Sequence, residues 1–337
     1  MKILSCMPLI ARSTYAAPFW LRGGHAQTIF PALFRRVPWI TRERERIETP
    51  DGDFLDLDWA RMGRTNRVAI LAHGLEGDSR NAYVQGMVGA LARAGWDVAA
   101  WNCRGCSGEP NRLLRSYHSG ATEDLAAVVD HVLADGRYRR VDLVGFSLGG
   151  NITLKYLGDL GAEIDPRVTR AVAFSVPCDL ASSSRQLESG ANRIYMDRFM
   201  VNLRAKIRTK MRMFPGALSD DGLDAMRTFR EFDGAYTAPL HGYRDAEDYW
   251  ARASSRPVLG RIAIPALLVN ARNDPFLPAE CFPEAEARAS AHFHLEAPRE
   301  GGHIGFTAEG EYWSETRAVE FLGGNGIAAT SSPSEAV

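Results

Sequence analysis

Cysteine is scarce: five residues in 337, at positions 6, 103, 106, 178 and 281. An odd, scattered set excludes the disulfide framework of a small secreted domain. Cys103-Arg104-Gly105-Cys106 has the C-x-x-C form. Gly105, Gly108 and Pro110 make that stretch a loop, without the helix N-terminus that stabilises a redox thiolate. No second C-x-x-C completes a zinc site. Neither sign of charge dominates, since 40 basic and 41 acidic residues leave a formal net charge of −1. The balance gives no electrostatic footprint for nucleic acid. No uncharged apolar run approaches the ~18 residues of a membrane span. The stretch from Ile3 to Ala11 imitates the apolar part of a signal peptide, but Pro8 interrupts it, Arg12 ends it and no small-residue cleavage site follows. We expect a cytoplasmic protein, with a weak contact between its N-terminal segment and a membrane surface left open. There is no internal repeat. With 45% apolar and 24% charged residues, what remains is an ordinary globular chain long enough to bury a large core.

Residues 1–40 carry Pro8, Pro18, Pro31 and Pro38 among bulky apolar side chains, which predicts an irregular arm. From residue 41 the pattern becomes regular. The run Arg42 to Glu48 alternates charge sign, Pro50-Asp51-Gly52-Asp53 is a turn signal, and Phe54 to Trp59 reads as the returning strand of a hairpin. Short apolar runs then alternate with helical stretches. Val68–Leu71 reads as a strand buried on both faces, and Trp96–Trp101, Val141–Val144 and Val168–Val176 read as further strands. Residues 82–94 and 122–133, with Thr122 as N-cap, read as helices. This alternation implies crossover units and a mostly parallel sheet. It stops between about 178 and 256, in a stretch with two long helical segments, and resumes with the strand Ile264–Val269. The next elements are a helix near 279–289, the strand His292–Leu295 and a helix over 309–321. An interruption of about 75 residues is too long for a loop, so we expect a helical lid. The Gly-, Ala- and Ser-rich tail from 323 reads as disordered.

Gly145-Phe146-Ser147-Leu148-Gly149 is a G-x-S-x-G string that follows an expected strand and opens an expected helix. In that context the serine sits on a sharp, strained turn at the sheet's carboxyl edge. Ser147 is therefore the candidate nucleophile. A serine hydroxyl needs a base. The chain order for such a turn is Ser, then Asp or Glu, then His. Of the histidines after Ser147, His241 lies in the insertion, while His292 and His294 lie in a strand. His303 sits in the glycine-rich loop Glu300-Gly301-Gly302-His303 beyond the last strand and is the candidate base. Gly23-Gly24-His25 repeats that string, but it precedes the sheet, so the order demotes His25. Asp274, after the strand Ile264–Val269, is the candidate acid that orients the imidazole. Asp179 is the second candidate. Acyl transfer also needs two donors for the oxyanion. These are assigned to the N–H groups of Leu148, after the nucleophile, and Leu75, in His73-Gly74-Leu75-Glu76-Gly77. His73 either braces that loop or is simply a satisfied core residue.

Together with Gly23-Gly24-His25-Ala26-Gln27-Thr28 and Asn102-Cys103-Arg104-Gly105-Cys106-Ser107-Gly108, these strings resemble the YheT-type esterases, the AB hydrolase 4 family of the α/β-hydrolase superfamily. The resemblance runs from about residue 18 to 322. It implies an α/β-hydrolase fold over 41–322 and a carboxylic ester hydrolase with Ser147, Asp274 and His303 as its triad. Acyl esters, acylglycerols or phospholipids are the implied substrates. The partner expected is a small-molecule ester, and the chemistry calls for no metal or organic cofactor. Transfer of the acyl group to an alcohol, and a non-catalytic binding protein on the same fold, are the rival readings. Residues 193–212 mix basic and apolar side chains. Their basic positions 204, 206, 208, 210 and 212 are spaced by two and so spread around a helix rather than forming one face.

Overall fold

The computed structural model describes residues 8–10, 12–40, 43–63, 65–309 and 312–324. Nine strands form one sheet: β1 (Leu9–Ile10), β2 (Glu43–Glu48), β3 (Phe54–Ala60), β4 (Arg67–Ala72), β5 (Asp97–Asn102), β6 (Arg140–Phe146), β7 (Val168–Phe174), β8 (Ala266–Val269) and β9 (Phe293–Glu296). Their spatial order is β1-β9-β8-β7-β6-β4-β5-β3-β2. Only the pairings of β2 with β3 and of β3 with β5 are antiparallel. The alternating charges of β2 have cross-strand partners: Arg44 stands opposite Asp58 and Arg46 opposite Asp56, each joined to it by a pair of N–H···O bonds of 2.7–2.9 Å.

Strand side chains alternate between faces, and the apolar runs feed two separate cores. Val68, Ile70, Leu143 and Leu268 face one, under α3 (Thr122–Ala134) and α4 (Leu148–Leu160). Ala69, Leu71, Val144 and Leu267 face the other, under α2 (Ala82–Arg93) and α11 (Trp313–Gly323). Leu143 is 1% exposed. Leu143→Ala is expected to cost about 2–5 kcal/mol through lost burial and a residual cavity. A lowered urea midpoint with an unchanged slope will show it.

Several boundaries differ from expectation. The arm is not wholly irregular. It holds α1 (Gly24–Phe34) with Pro31 inside it, and β1 pairs parallel with β9. A proline costs a helix one hydrogen bond, and packing against the body outweighs that loss. Ala121, not Thr122, occupies the cap position of α3, whose first turn carries Glu123 and Asp124 at its positive end. Between β7 and β8 the chain forms α5 (Leu180–Leu187), α6 (Arg193–Met213), α7 (Phe229–Phe232), α8 (Ala238–Leu240) and α9 (Ala246–Ala253). One helix there is long, not two. A π-helical turn, Asp233–Thr237, links α7 to α8. The short α10 (Glu284–Ala289) lies between β8 and β9. The expected disordered tail lies outside the described residues beyond Gly324.

Candidate active site

Four loops meet at the carboxyl edge of the parallel strands. Ser147 links β6 to α4 and holds φ 52°, ψ −118°, a conformation costly for any residue with a Cβ. Its neighbours allow the turn because they have none. A Cβ on Gly149 would overlap the carbonyl oxygens of His73 and Ala72, and one on Gly145 would meet Gly150. Among the described residues, the other non-glycine positions in this left-handed region are Glu76, Ser175, Ile304 and Phe306. They lie on the loops after β4, β7 and β9, so the backbone strain is concentrated around Ser147.

The structure brings together the three residues chosen by chain order. His303 Nε2 lies 3.0 Å from Ser147 Oγ, and His303 Nδ1 lies 2.9 Å from Asp274 Oδ2. An ionised carboxylate only accepts, so the proton sits on Nδ1 and leaves the Nε2 lone pair facing the serine hydroxyl. The second oxygen of Asp274 accepts the Phe276 N–H at 2.8 Å. The Phe276 ring stacks on the imidazole, with centroids 4.0 Å apart. Asp274 is 3% exposed and Ser147 9%. The alternatives go elsewhere. Asp179 caps α5 by accepting the Ser182 N–H. His25 is exposed and meets the Tyr195 hydroxyl at 3.1 Å. His294 is buried within β9, and His241 contacts the carbonyl oxygens of Thr237 and Ser116.

Leu148 opens α4, so its N–H has no acceptor within the helix. Leu75 lies in a turn closed by the Gly77 N–H on the Gly74 carbonyl, at 3.0 Å. This turn touches the serine: a Cβ on Gly74 would sit 3.2 Å from Ser147 Cβ. His73 braces it. The Cys103 N–H donates to His73 Nε2 at 3.0 Å, which puts the ring proton on Nδ1, 2.7 Å from the Gly74 carbonyl. Burial holds the His73 pKa down at about 4, so the ring stays neutral. The Tyr83 hydroxyl accepts the Gly74 N–H, and the Tyr117 hydroxyl accepts the Glu76 N–H.

Several basic residues of α6 have partners within the chain. Arg204 reaches the Met226 carbonyl, Arg208 pairs with Asp224, and Lys210 is buried against the Asn111 and Leu113 carbonyls. Lys206 crosses from α6 to the turn bearing Leu75. Its Nζ lies 3.0 Å from Glu76 Oε1, 2.9 Å from Cys106 Sγ and 4.5 Å from the centre of the Tyr117 ring. Burial pushes the Cys103 and Cys106 thiols above the ordinary thiol range, and Lys206 opposes this at Cys106. Lys206→Met removes this strap from the residue next to Leu75. It is expected to lower kcat about 10-fold, less than the about 10²–10³-fold that outright removal of an oxyanion donor costs, with the wild-type level restored in part by Lys206→Arg.

A partly enclosed, mostly apolar cleft is lined at its floor by Ser147 and His303. The helical insertion lines it with Leu187, Phe199, Leu203, Phe229, Phe232 and Tyr236. Asp233 lines it in the π-helical turn, held by the Thr237 hydroxyl and the Trp250 N–H. Burial raises the Asp233 pKa to about 6. Sequence reasoning missed Phe276, Tyr83, Tyr117 and Lys206. The first follows the Asp-Pro turn directly, and the others touch the site only through tertiary contacts.

A nine-stranded, mostly parallel sheet with helices on both faces, and a serine on a strained strand–helix turn, define an α/β hydrolase. The chain belongs to that family, whose model, described as alpha/beta hydrolase fold, matches residues 68–307. Its relatives narrow the class to esterases. It is 37% identical over 308 residues to "Putative esterase YheT" of Escherichia coli (strain K12), covering 88% of this chain and 89% of that one. It is 30% identical over 306 residues to "Phospholipase ABHD3" of Mus musculus, covering 88% and 74%. The Pyrococcus furiosus esterase Pf2001 superposes with a TM-score of 0.57 at 17% identity, over 84% of this chain and 92% of that one, a likeness of fold alone. The protein is thus a hydrolase enzyme of the esterase kind. No helix among the described residues is long and apolar enough to cross a membrane.

Proposed function

We propose that the protein is a serine carboxylesterase for short- to medium-chain acyl esters, working through an acyl-enzyme. The observation that carries this reading is the hydrogen-bonded line from Asp274 through His303 to Ser147, set at the end of an apolar cleft. Ser147 Oγ attacks the ester carbonyl carbon as His303 Nε2 takes its proton. The carbonyl oxygen becomes an oxyanion held by the Leu75 and Leu148 N–H groups. On collapse the C–O bond to the alcohol breaks, and His303 returns the proton to the leaving oxygen. A water molecule, deprotonated by His303, then attacks the acyl carbon. The acid leaves and the serine hydroxyl is restored. Asp274 keeps the imidazole in one tautomer and stabilises its cationic form.

The helical insertion is read as a lid that supplies the acyl wall. The enzyme is placed in the cytoplasm, acting in lipid metabolism, with a small-molecule ester as its partner. Relatives named phospholipase and monoacylglycerol lipase bring glycerolipids into the substrate range to be tested. The test is a series of p-nitrophenyl esters graded by chain length, run beside monoacylglycerols and phospholipids, with ethanol added to detect acyl transfer. The reading expects kcat/KM to peak at a short or medium chain and free acid to be the main product. A main product of ethyl ester would make the enzyme an acyltransferase.

A further inference from the structure

The two Gly-Gly-His strings interlock, although only one of them supplies a candidate catalytic group. A Cβ on Gly24 would overlap the Asn273 carbonyl oxygen, one on Gly302 would sit 2.8 Å from the Gly24 oxygen and the Thr28 nitrogen, and one on Gly305 would overlap the Gln27 carbonyl. The first turn of α1 is therefore wedged between the loop that carries Asp274 and the loop that carries His303. Close approach of backbone to backbone is the reason for glycine at all three positions.

Two polar side chains use that closeness. Gln27 is 1% exposed. Its Oε1 accepts from Asn273 Nδ2 at 2.9 Å and from the Gly301 N–H at 2.8 Å. Its Nε2 donates to the Leu21 carbonyl at 2.8 Å and lies 3.4 Å from Glu300 Oε1. Asn273 completes the ring by accepting the Gly302 N–H at 3.0 Å. A single oxygen of Gln27 thus joins the neighbour of Asp274 to the approach of His303. Thr28 Oγ1 accepts the N–H of His303 itself at 2.9 Å and donates to the Gly24 carbonyl at 2.7 Å. The base loop needs such support, because Ile304 and Phe306 hold φ of 57° and 40°. Strained residues persist only where the surroundings over-determine them.

We infer that Gln27 and Thr28 are positioning residues that set the distance between Asp274 and His303 and aim the imidazole at Ser147. The inference rests on the triad proposed above. It gives the arm a task in catalysis through the glutamine and threonine of its Gly-Gly-His-Ala-Gln-Thr string, while His25 contacts Tyr195, whose ring packs edge-on against Phe276.

The test compares Thr28→Val, Thr28→Ser and Gln27→Leu in the full chain. Active sites are titrated with a fluorophosphonate, so that kcat refers to competent enzyme only. Thr28→Val and Gln27→Leu are expected to lower kcat about 10–100-fold, the scale of small misplacements of a catalytic group, with KM within about 2-fold. Thr28→Ser, which keeps the acceptor oxygen, is expected within about 3-fold of wild type. Combined with Asp274→Asn, Thr28→Val should cost less than about 3-fold more, since both act through one imidazole. Equal kcat per titrated site in all variants, or full additivity with Asp274→Asn, overturns the inference. If Ser147→Ala retains full activity, the triad itself has failed. If Ser147→Ala is inactive while Thr28→Val and Gln27→Leu match wild type, only the positioning role has failed.

Discussion

Ser147→Ala is expected to lower kcat for a p-nitrophenyl ester by about 10⁴-fold or more, leaving what oxyanion donors and binding alone supply. Ser147 Oγ is the hydroxyl 3.0 Å from His303 Nε2, and it stands on the turn whose strain points it away from the sheet. Removing one oxygen keeps the buried Cβ in place and gives up one hydrogen bond, that to His303. The urea midpoint should therefore stay at or above the wild-type value. A residue at φ 52° is strained, and alanine relieves none of that backbone cost, so a large rise in stability is not expected either. Loss of activity with retained stability separates a nucleophile from a structural serine.

His303→Gln is expected to cost about 10⁴-fold in kcat as well, by a different route. The nucleophile is still present but has no base. Fluorophosphonate labelling distinguishes the two variants: Ser147→Ala gives no adduct at any time, whereas His303→Gln gives an adduct on Ser147 that forms far more slowly than in wild type. The double variant should be no worse than either single one, because both remove the same proton transfer. Asp274→Asn belongs to the same series. Asparagine can present its amide N–H₂ to Nδ1, which favours the wrong tautomer, and the Phe276 N–H keeps an acceptor only if the amide oxygen faces it.

Much of the sheet could be read from the chain because β4 to β8 are covered on both faces and appear as short apolar runs between turns. The three residues joined by hydrogen bonds were legible for another reason. A G-x-S-x-G turn has a required context, and the Ser, Asp, His order then leaves few candidates. Helix α1 was not legible, since four prolines hide it and its stability comes from the loops it is wedged against. The insertion was misjudged in detail. Residues 229–253 fold as short helices and a π-helical turn, with a Thr228–Glu231 capping box opening α7 and the Asp245 side chain capping α9. Gln27 and Thr28 stood only as the end of the Gly-Gly-His-Ala-Gln-Thr string, with nothing in it to mark their role. Their partners are backbone N–H groups and an amide 246 to 275 residues away, and single polar residues carry no periodic signal. Lys206 and Lys210 are two of the basic positions whose spacing spreads them around a helix, and each turns inward to oxygen or sulfur acceptors.

The central claim is that the hydroxyl of Ser147 becomes the ester of the substrate's acid during turnover. Rapid quenching of the wild-type enzyme with p-nitrophenyl butyrate, followed by mass measurement of the intact chain and of its peptides, tests it directly. The account predicts a burst of p-nitrophenol no larger than one equivalent and a butyryl group on the peptide containing Ser147, absent in Ser147→Ala. A butyryl group on another residue, or wild-type turnover by Ser147→Ala, would contradict it.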